Sequence, residues 1–387
     1  MQNFDEVINR KNTNCVKFDA VKRFFKKDDI QPLWVADMDF RTPKFIVKSI
    51  QQKVNEELYG YPEPHISVFN SIKDWMKNRH QWEITTNDIL LLSGVVAGLS
   101  AAVEAFSEEK DEVIIQTPVY YPFYSVIKHN NRNIIENPLI NDNGYYKMDI
   151  EDFKSKITSK TKLLILCSPH NPVGRVWNKE ELKTIADICV QNNIKIISDE
   201  IHSDIVYKKF TPLASISNEI SNITLTLNSP SKTFNLAGLN SSYAVCSNKD
   251  MLHNYKKIVR KREIGSLNIF GLVALQSAYE SGENWVEKLL FYLKSNIQFV
   301  QEFFKDNDMK VDFKNPESTY LLWLNFERYN FTHEEIRNKL LNDAKVGLND
   351  GVSFGKSSNL YFRINIALPK NQLKIALEKI RDNLKTI

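Results

Sequence analysis

Between residues 85 and 250 short apolar runs alternate with amphipathic stretches, and this alternation constrains the fold more than any single residue does. The runs are 89–92, 112–116, 163–167, 194–197, 223–227 and 242–246, with helical stretches such as 99–106 and 180–191 between them. Strand and helix in turn specify an α/β fold, with a mainly parallel central sheet flanked by helices on both faces. In an open sheet of that kind ligands bind beyond the carboxyl ends of the strands. The residues that follow each run are therefore the ones to read for chemistry.

With 387 residues, 42% of them hydrophobic, the chain exceeds the ~250–300 residues at which one core stops growing. Beyond residue 284 the pattern changes to a long periodic segment, 285–304, then strand-like 320–326 and 360–366 around a helical stretch, 332–341. This reads as a smaller α+β domain, which the N-terminal segment, lacking a sheet pattern, is expected to join. The expected division is a large domain over 48–284 and a small one over 1–47 and 285–387.

The 51 basic and 47 acidic residues leave a net charge of only +4, and the one dense basic run, 256–262, has apolar residues at helical intervals. It reads as a solvated helix face, and no nucleic-acid partner is expected. Four cysteines, Cys15, Cys167, Cys189 and Cys246, form no CxxC pair, which fits a reducing compartment. The polar N-terminus lacks the apolar core of a signal peptide, and no stretch approaches ~18 uncharged apolar residues. A cytoplasmic protein with no membrane association is expected.

Lys232 lies in Ser229-Pro230-Ser231-Lys232-Thr233-Phe234-Asn235-Leu236-Ala237-Gly238-Leu239, between small hydroxyls and an apolar tail. That setting suits a Schiff-base lysine better than a surface charge. The run 194–197 stops at Ser198-Asp199-Glu200, which puts an acid at a strand's carboxyl end, where it could keep a pyridinium nitrogen protonated. Lysine and acid together suggest pyridoxal 5′-phosphate (PLP).

Other strand ends offer further groups. Gly94 and Val95, in the turn from 89–92 into a helix, could hold a phosphate on backbone N–H groups, or simply allow close packing. Ser229 and Ser231 could add hydroxyls, or form a turn around Pro230. After 112–116 come Tyr120 and Tyr121, one of which could stack on a flat ring or pack in the core. After 163–167 a rigid loop with two prolines and a glycine can aim the Asn171 amide. His202 follows Asp199 by three residues, and points to the same pocket or serves as a core histidine. No HExxH or Gly-x-Ser-x-Gly pattern occurs, the seven histidines show no metal-ligand spacing, and no metal is expected.

In order and spacing, Asn171-Pro172-x-Gly174, Asp199-x-x-His202 and Ser229-x-Ser231-Lys232 resemble the fold-type I PLP enzymes of the class I/II aminotransferase superfamily. The segments 34–40 (WVADMDF), Tyr59-Gly60-Tyr61, 199–202 and 231–239 resemble more narrowly the MalY/PatB family of cystathionine β-lyase-type C–S lyases. The resemblance implies that Lys232 forms the Schiff base and Asp199 pairs with the pyridine nitrogen. It further implies His202 and Asn171 near the phenolic oxygen, Tyr120 on the ring, and Gly94, Val95, Ser229 and Ser231 around the phosphate. Arg363 matches the arginine that grips the substrate carboxylate, with Tyr120 and Asn171 beside it. Tyr61 matches a tyrosine that reaches the neighbouring subunit's phosphate, implying a homodimer. Asn240 stands where many aminotransferases have a second phosphate-binding arginine.

The expected activity is a PLP-dependent α,β-elimination from an L-cysteine S-conjugate: cystathionine, an S-alkyl-cysteine or a cysteinyl-glycine thioether. Its products are a thiol, pyruvate and ammonia. The alternatives are an amino-acid aminotransferase, which needs the same lysine, acid and arginine, and a family member with an added regulatory protein-binding role.

Overall fold

The computed structural model describes residues 3–384. Seven strands form the main sheet: β1 Ile89–Leu92, β2 Glu112–Thr117, β3 Asn133–Pro138, β4 Thr161–Cys167, β5 Lys195–Asp199, β6 Thr224–Asn228 and β7 Ser242–Val245. Their spatial order is β1-β7-β6-β5-β4-β2-β3. Neighbours are parallel, except that β7 runs antiparallel to both β1 and β6. The α/β class with a mainly parallel sheet is the one expected. Strand β3 was not expected: it mixes Asn and Glu with its isoleucines and lies at the sheet edge, paired only with β2, so it carries no uninterrupted apolar run.

The inner strands are rich in buried apolar residues because both faces of the sheet are covered. On one face Val113, Ile115, Leu163 and Ile197 pack with helices α1 Val95–Phe106 and α3 Lys249–Lys261. On the other, Ile114, Leu164, Leu166 and Ile196 pack with α2 Lys179–Gln191. A capping box starts α2: Asn178 Oδ1 accepts from Glu181 N, and Glu181 Oε2 accepts from Asn178 N, each at 2.8 Å. The basic run lies on α3, with Met251, Tyr255 and Val259 turned inward while Lys261 and Arg262 pair with Glu104.

The 24-residue helix α4 Glu283–Asp306 leads to a second sheet of β8 Leu321–Asn325, β9 Asn349–Asp350 and β10 Tyr361–Asn365, antiparallel in the order β8-β10-β9. The single helix expected over 332–341 is instead an α-helix, His333–Asn338, that widens into a π-turn, Lys339–Asp343. The N-terminal segment runs beside this region: Gln31–Pro32 pairs with Val346–Gly347, and Asp39 N donates to Ala367 O (2.8 Å). One core continues from Ile72 and Leu91 through Leu289 to Leu324 and Ile364. Among the described residues, no helix is long and apolar enough to cross a membrane.

Candidate active site

Strand β5 delivers its acid by burying everything before it. Ile196 faces one core and Ile197 the other, and the strand ends at Asp199, 5% exposed, at the sheet's carboxyl edge. There a cavity of about 370 Å³ is lined by Gly94, Val95, Tyr120, Asn171, Asp199, His202, Ser229, Ser231 and Lys232. Nine of the residues singled out in the sequence thus converge on one space, drawn from five different strand ends. Arg363 joins them from β10: Nη1 donates to Asn171 Oδ1 at 2.8 Å. Tyr61 does not line the cavity within the chain and is fully exposed, as are much of Leu58, Tyr59 and Ile66 around it.

The ionisable groups here are shifted mainly by loss of water. Burial raises Asp199 to about 6, against a single hydrogen bond from Ile201 N (3.2 Å) and the attraction of Lys232. Burial lowers Lys232 to about 8, helped by Arg363 and opposed by Asp37 and Asp199. The buried His202 is driven well below its ordinary range, again by burial first and then by Lys232 and Arg363. Arg363 itself is lowered to about 10 by burial.

The lysine is held by a group that leaves no mark in a sequence. Lys232 Nζ donates to the backbone carbonyl of Ala36 (2.8 Å), and Tyr320 OH donates to the same oxygen (3.0 Å). Two residues earlier, Trp34 O accepts from Arg363 Nη2 (3.0 Å). One strap thus positions both the lysine and the arginine. Asn365 Nδ2 donates to Val35 O (2.7 Å) and Asp37 O (2.6 Å), while Arg10 and the fully buried Lys17 bridge Asp37 and Asp39. Before Tyr320 comes Thr319 at φ 67, a costly conformation for a β-branched residue, fixed by Thr319 N donating to Ile205 O (2.7 Å).

At the other end of the cavity α1 presents its N-terminus, whose first N–H groups have no partner inside the helix. The helix reaches this position because Gly98 packs against the sheet: a Cβ there would meet Leu92 Cδ1 at 2.7 Å. Ser229 Oγ donates to Ser241 O (2.6 Å) and accepts from Ser231 N (3.0 Å), so its hydroxyl shapes the turn. Ser241, which no motif marks in the sequence, also lines the cavity beside Asn240, and its buried Oγ has no partner. His202 Nδ1 and Arg363 Nε are likewise buried without partners. Unmet donors, a helix N-terminus, a lone carboxylate and an aromatic wall together fit a phosphorylated pyridine of the size of PLP.

The family model for aminotransferase class I and II matches residues 29–380. The chain is 35% identical to cystathionine β-lyase PatB of Bacillus subtilis over 382 residues, covering 98% of this chain and 99% of the relative. A PLP-bound protein of Clostridium difficile 630, provisionally described as an aminotransferase, superposes with a TM-score of 0.97 at 41% identity over the whole of both chains. A PLP-bound C–S lyase of Staphylococcus hominis superposes with a TM-score of 0.93 at 32% identity, covering 100% of this chain and 99% of that one.

Proposed function

The chain belongs to the aminotransferase class I and II family, and from that premise we propose a PLP-dependent carbon–sulfur β-lyase. It would convert an L-cysteine S-conjugate and water into a thiol, pyruvate and ammonia. The observation that carries the reading is the meeting of one half-buried amine, Lys232, and one buried lone carboxylate, Asp199, in a strand-end cavity with unmet polar groups. The C–S lyase and β-lyase relatives favour elimination over amino transfer.

PLP supplies a carbonyl for the substrate amine and an electron sink for Cα. Lys232 Nζ, lowered to about 8 by burial, would be the base for the Cα proton. Asp199 would provide the negative charge that keeps the ring nitrogen protonated. Asn171, whose Oδ1 is occupied by Arg363, has Nδ2 left for the phenolic oxygen, with His202 beside it. Tyr120 would cover the ring, while the N–H groups at Gly94 and Val95, with Ser231 and Ser241, would hold the phosphate, and Ser229, whose hydroxyl is spent on the turn, would shape the cup. Arg363, kept in place by Asn171, Trp34 and Asn349, grips the substrate carboxylate as a fork.

The exposed Leu58, Tyr59, Tyr61 and Ile66 support a homodimer in which Tyr61 reaches the neighbouring phosphate. Four free thiols support a cytoplasmic setting. The test is the holoenzyme with S-methyl-L-cysteine and no keto acid: thiol and pyruvate in equal amounts are expected, and Lys232→Ala should slow their release by roughly 10²–10⁴-fold. Turnover that requires a keto-acid acceptor would replace this reading with an aminotransferase.

A further inference from the structure

We infer that the S-substituent of the substrate occupies a second, apolar cavity that shares a wall with the Lys232 site, so that uncharged alkyl and aryl thioethers of cysteine are preferred. This rests on the lyase reading above. The cavity holds about 300 Å³ and is walled by Phe24, Trp34, Leu340, Leu341 and Phe362. Its aromatic side is already assembled: the Phe24 and Trp34 rings lie 4.3 Å apart, and Phe24 remains 50% exposed at the mouth. A large ring left half in water is a surface that a ligand can cover.

The carboxylate clamp bridges the two linings, since Arg363 Nη1 donates to Asn171 of the Lys232 site. Trp34 and Asn349 both line the apolar cavity, and both accept hydrogen bonds from Arg363 Nη2. Tyr121 lines it as well, with its ring 5.3 Å from that of Tyr120, which lines the Lys232 site. A substrate held by its carboxylate on Arg363 therefore sits at the junction. In a cysteine thioether sulfur is only two bonds from Cα, so a short substituent reaches across.

The charged residues of the lining, Asp350 and Arg337, are already paired. Asp350 accepts from His333 Nε2 at 2.9 and 2.8 Å, and Arg337 Nε lies 3.9 Å from Asp350. A substituent ending in an ammonium and a carboxylate would have to displace these pairings and lose its own hydration. An alkyl or aryl group needs no polar partner and packs on the rings and leucines that make up most of the lining.

The experiment compares S-benzyl-L-cysteine, S-methyl-L-cysteine and L-cystathionine on the holoenzyme, reading pyruvate release as kcat/KM and, separately, Kd from the change in cofactor absorbance on titration. The benzyl substrate is expected to exceed both others by about 10-fold or more. Phe24→Ala, at a half-exposed position, should reduce that ratio several-fold, and Ser353→Trp, which fills the cavity from an exposed position, should bring it close to one. Equal kcat/KM values for benzyl and methyl, a preference for cystathionine, or a ratio unmoved by both variants would overturn the inference. Pyruvate from none of the three would instead overturn the lyase reading. The Kd ratio would then decide the cavity alone: a benzyl preference lost in both variants supports it, and equal affinities overturn it.

Discussion

Asp199 and Asp204 are five residues apart, both are buried, and their surroundings treat charge in opposite ways. Asp199 has one backbone N–H and a partly exposed lysine for company, and burial leaves it raised to about 6. Asp204 is also penalised by burial, but His80 Nε2 (2.9 Å), Thr233 Oγ1 (2.8 Å) and Trp75 Nε1 (3.0 Å) donate to it, and Arg79 lies 3.4 Å away. Its carboxyl is held below the usual range. One carboxylate has its donors without a ligand and the other does not. Thr233 follows Lys232, so the finished network forms the rigid backing against which the unfinished one is held.

The contrast is broken most forcefully by removing each carboxylate. Asp204→Ala strands a histidine, an indole N–H and a hydroxyl in the core, and should cost about 3–5 kcal/mol, seen as a lowered thermal midpoint. Asp199→Asn should leave the midpoint where it is or raise it, while pyruvate release falls roughly 10²–10³-fold, the scale of losing one preorganised charge. If Asp199→Asn destabilised the chain as much as Asp204→Ala, the two sites would not differ in the way described.

The pH dependence of the cofactor-free protein sharpens the same comparison. With Asp199 raised to about 6, the native chain holds a proton that the unfolded chain, near 4, has already lost. Stability therefore falls as pH rises from about 4 to 6, by ~1–3 kcal/mol from this group. Lys232, lowered to about 8, has the reverse effect at the alkaline end: the unfolded chain holds the extra proton between about 8 and the ordinary lysine value, so stability rises again. Asp204, held low, stabilises the fold above the unfolded value near 4, and that contribution is lost as pH falls below it. Denaturant midpoints measured across pH should lose their decline between 4 and 6 in Asp199→Asn. An unchanged profile would show that Asp199 is not desolvated.

What the sequence disclosed follows from the same physics. An apolar run that stops at a charge is visible without coordinates, which is how Asp199 and the strand-end groups were found. The fold-type I arrangement implied by the resemblance extends over the whole chain. What escaped was carried by the backbone or by distant pairs. Ala36 acts through a carbonyl, which every residue has. Arg10 and Lys17 meet Asp37 and Asp39 across about twenty residues or more, with no local pattern to betray it. Strand β3, half exposed at its edge, lacks the run that marked its neighbours.

Ser241 offers the smallest and most selective test of the contrast. Its buried hydroxyl has no partner, whereas Ser229, the residue the sequence favoured, already donates to Ser241 O at 2.6 Å. Removing an unsatisfied buried hydroxyl relieves a desolvation cost, so Ser241→Ala should leave the cofactor-free protein equally stable or slightly more so. If that hydroxyl completes its bonding on the phosphate, the same change should weaken PLP by about 0.5–1.5 kcal/mol, roughly 3- to 10-fold in Kd. Ser229→Ala should do the opposite, loosening the turn and lowering stability even without cofactor. Titration of both variants with PLP, beside their cofactor-free melting curves, separates a hydroxyl awaiting a ligand from one the fold has already used; a Ser241→Ala protein that melts early and binds PLP normally would reverse the two assignments.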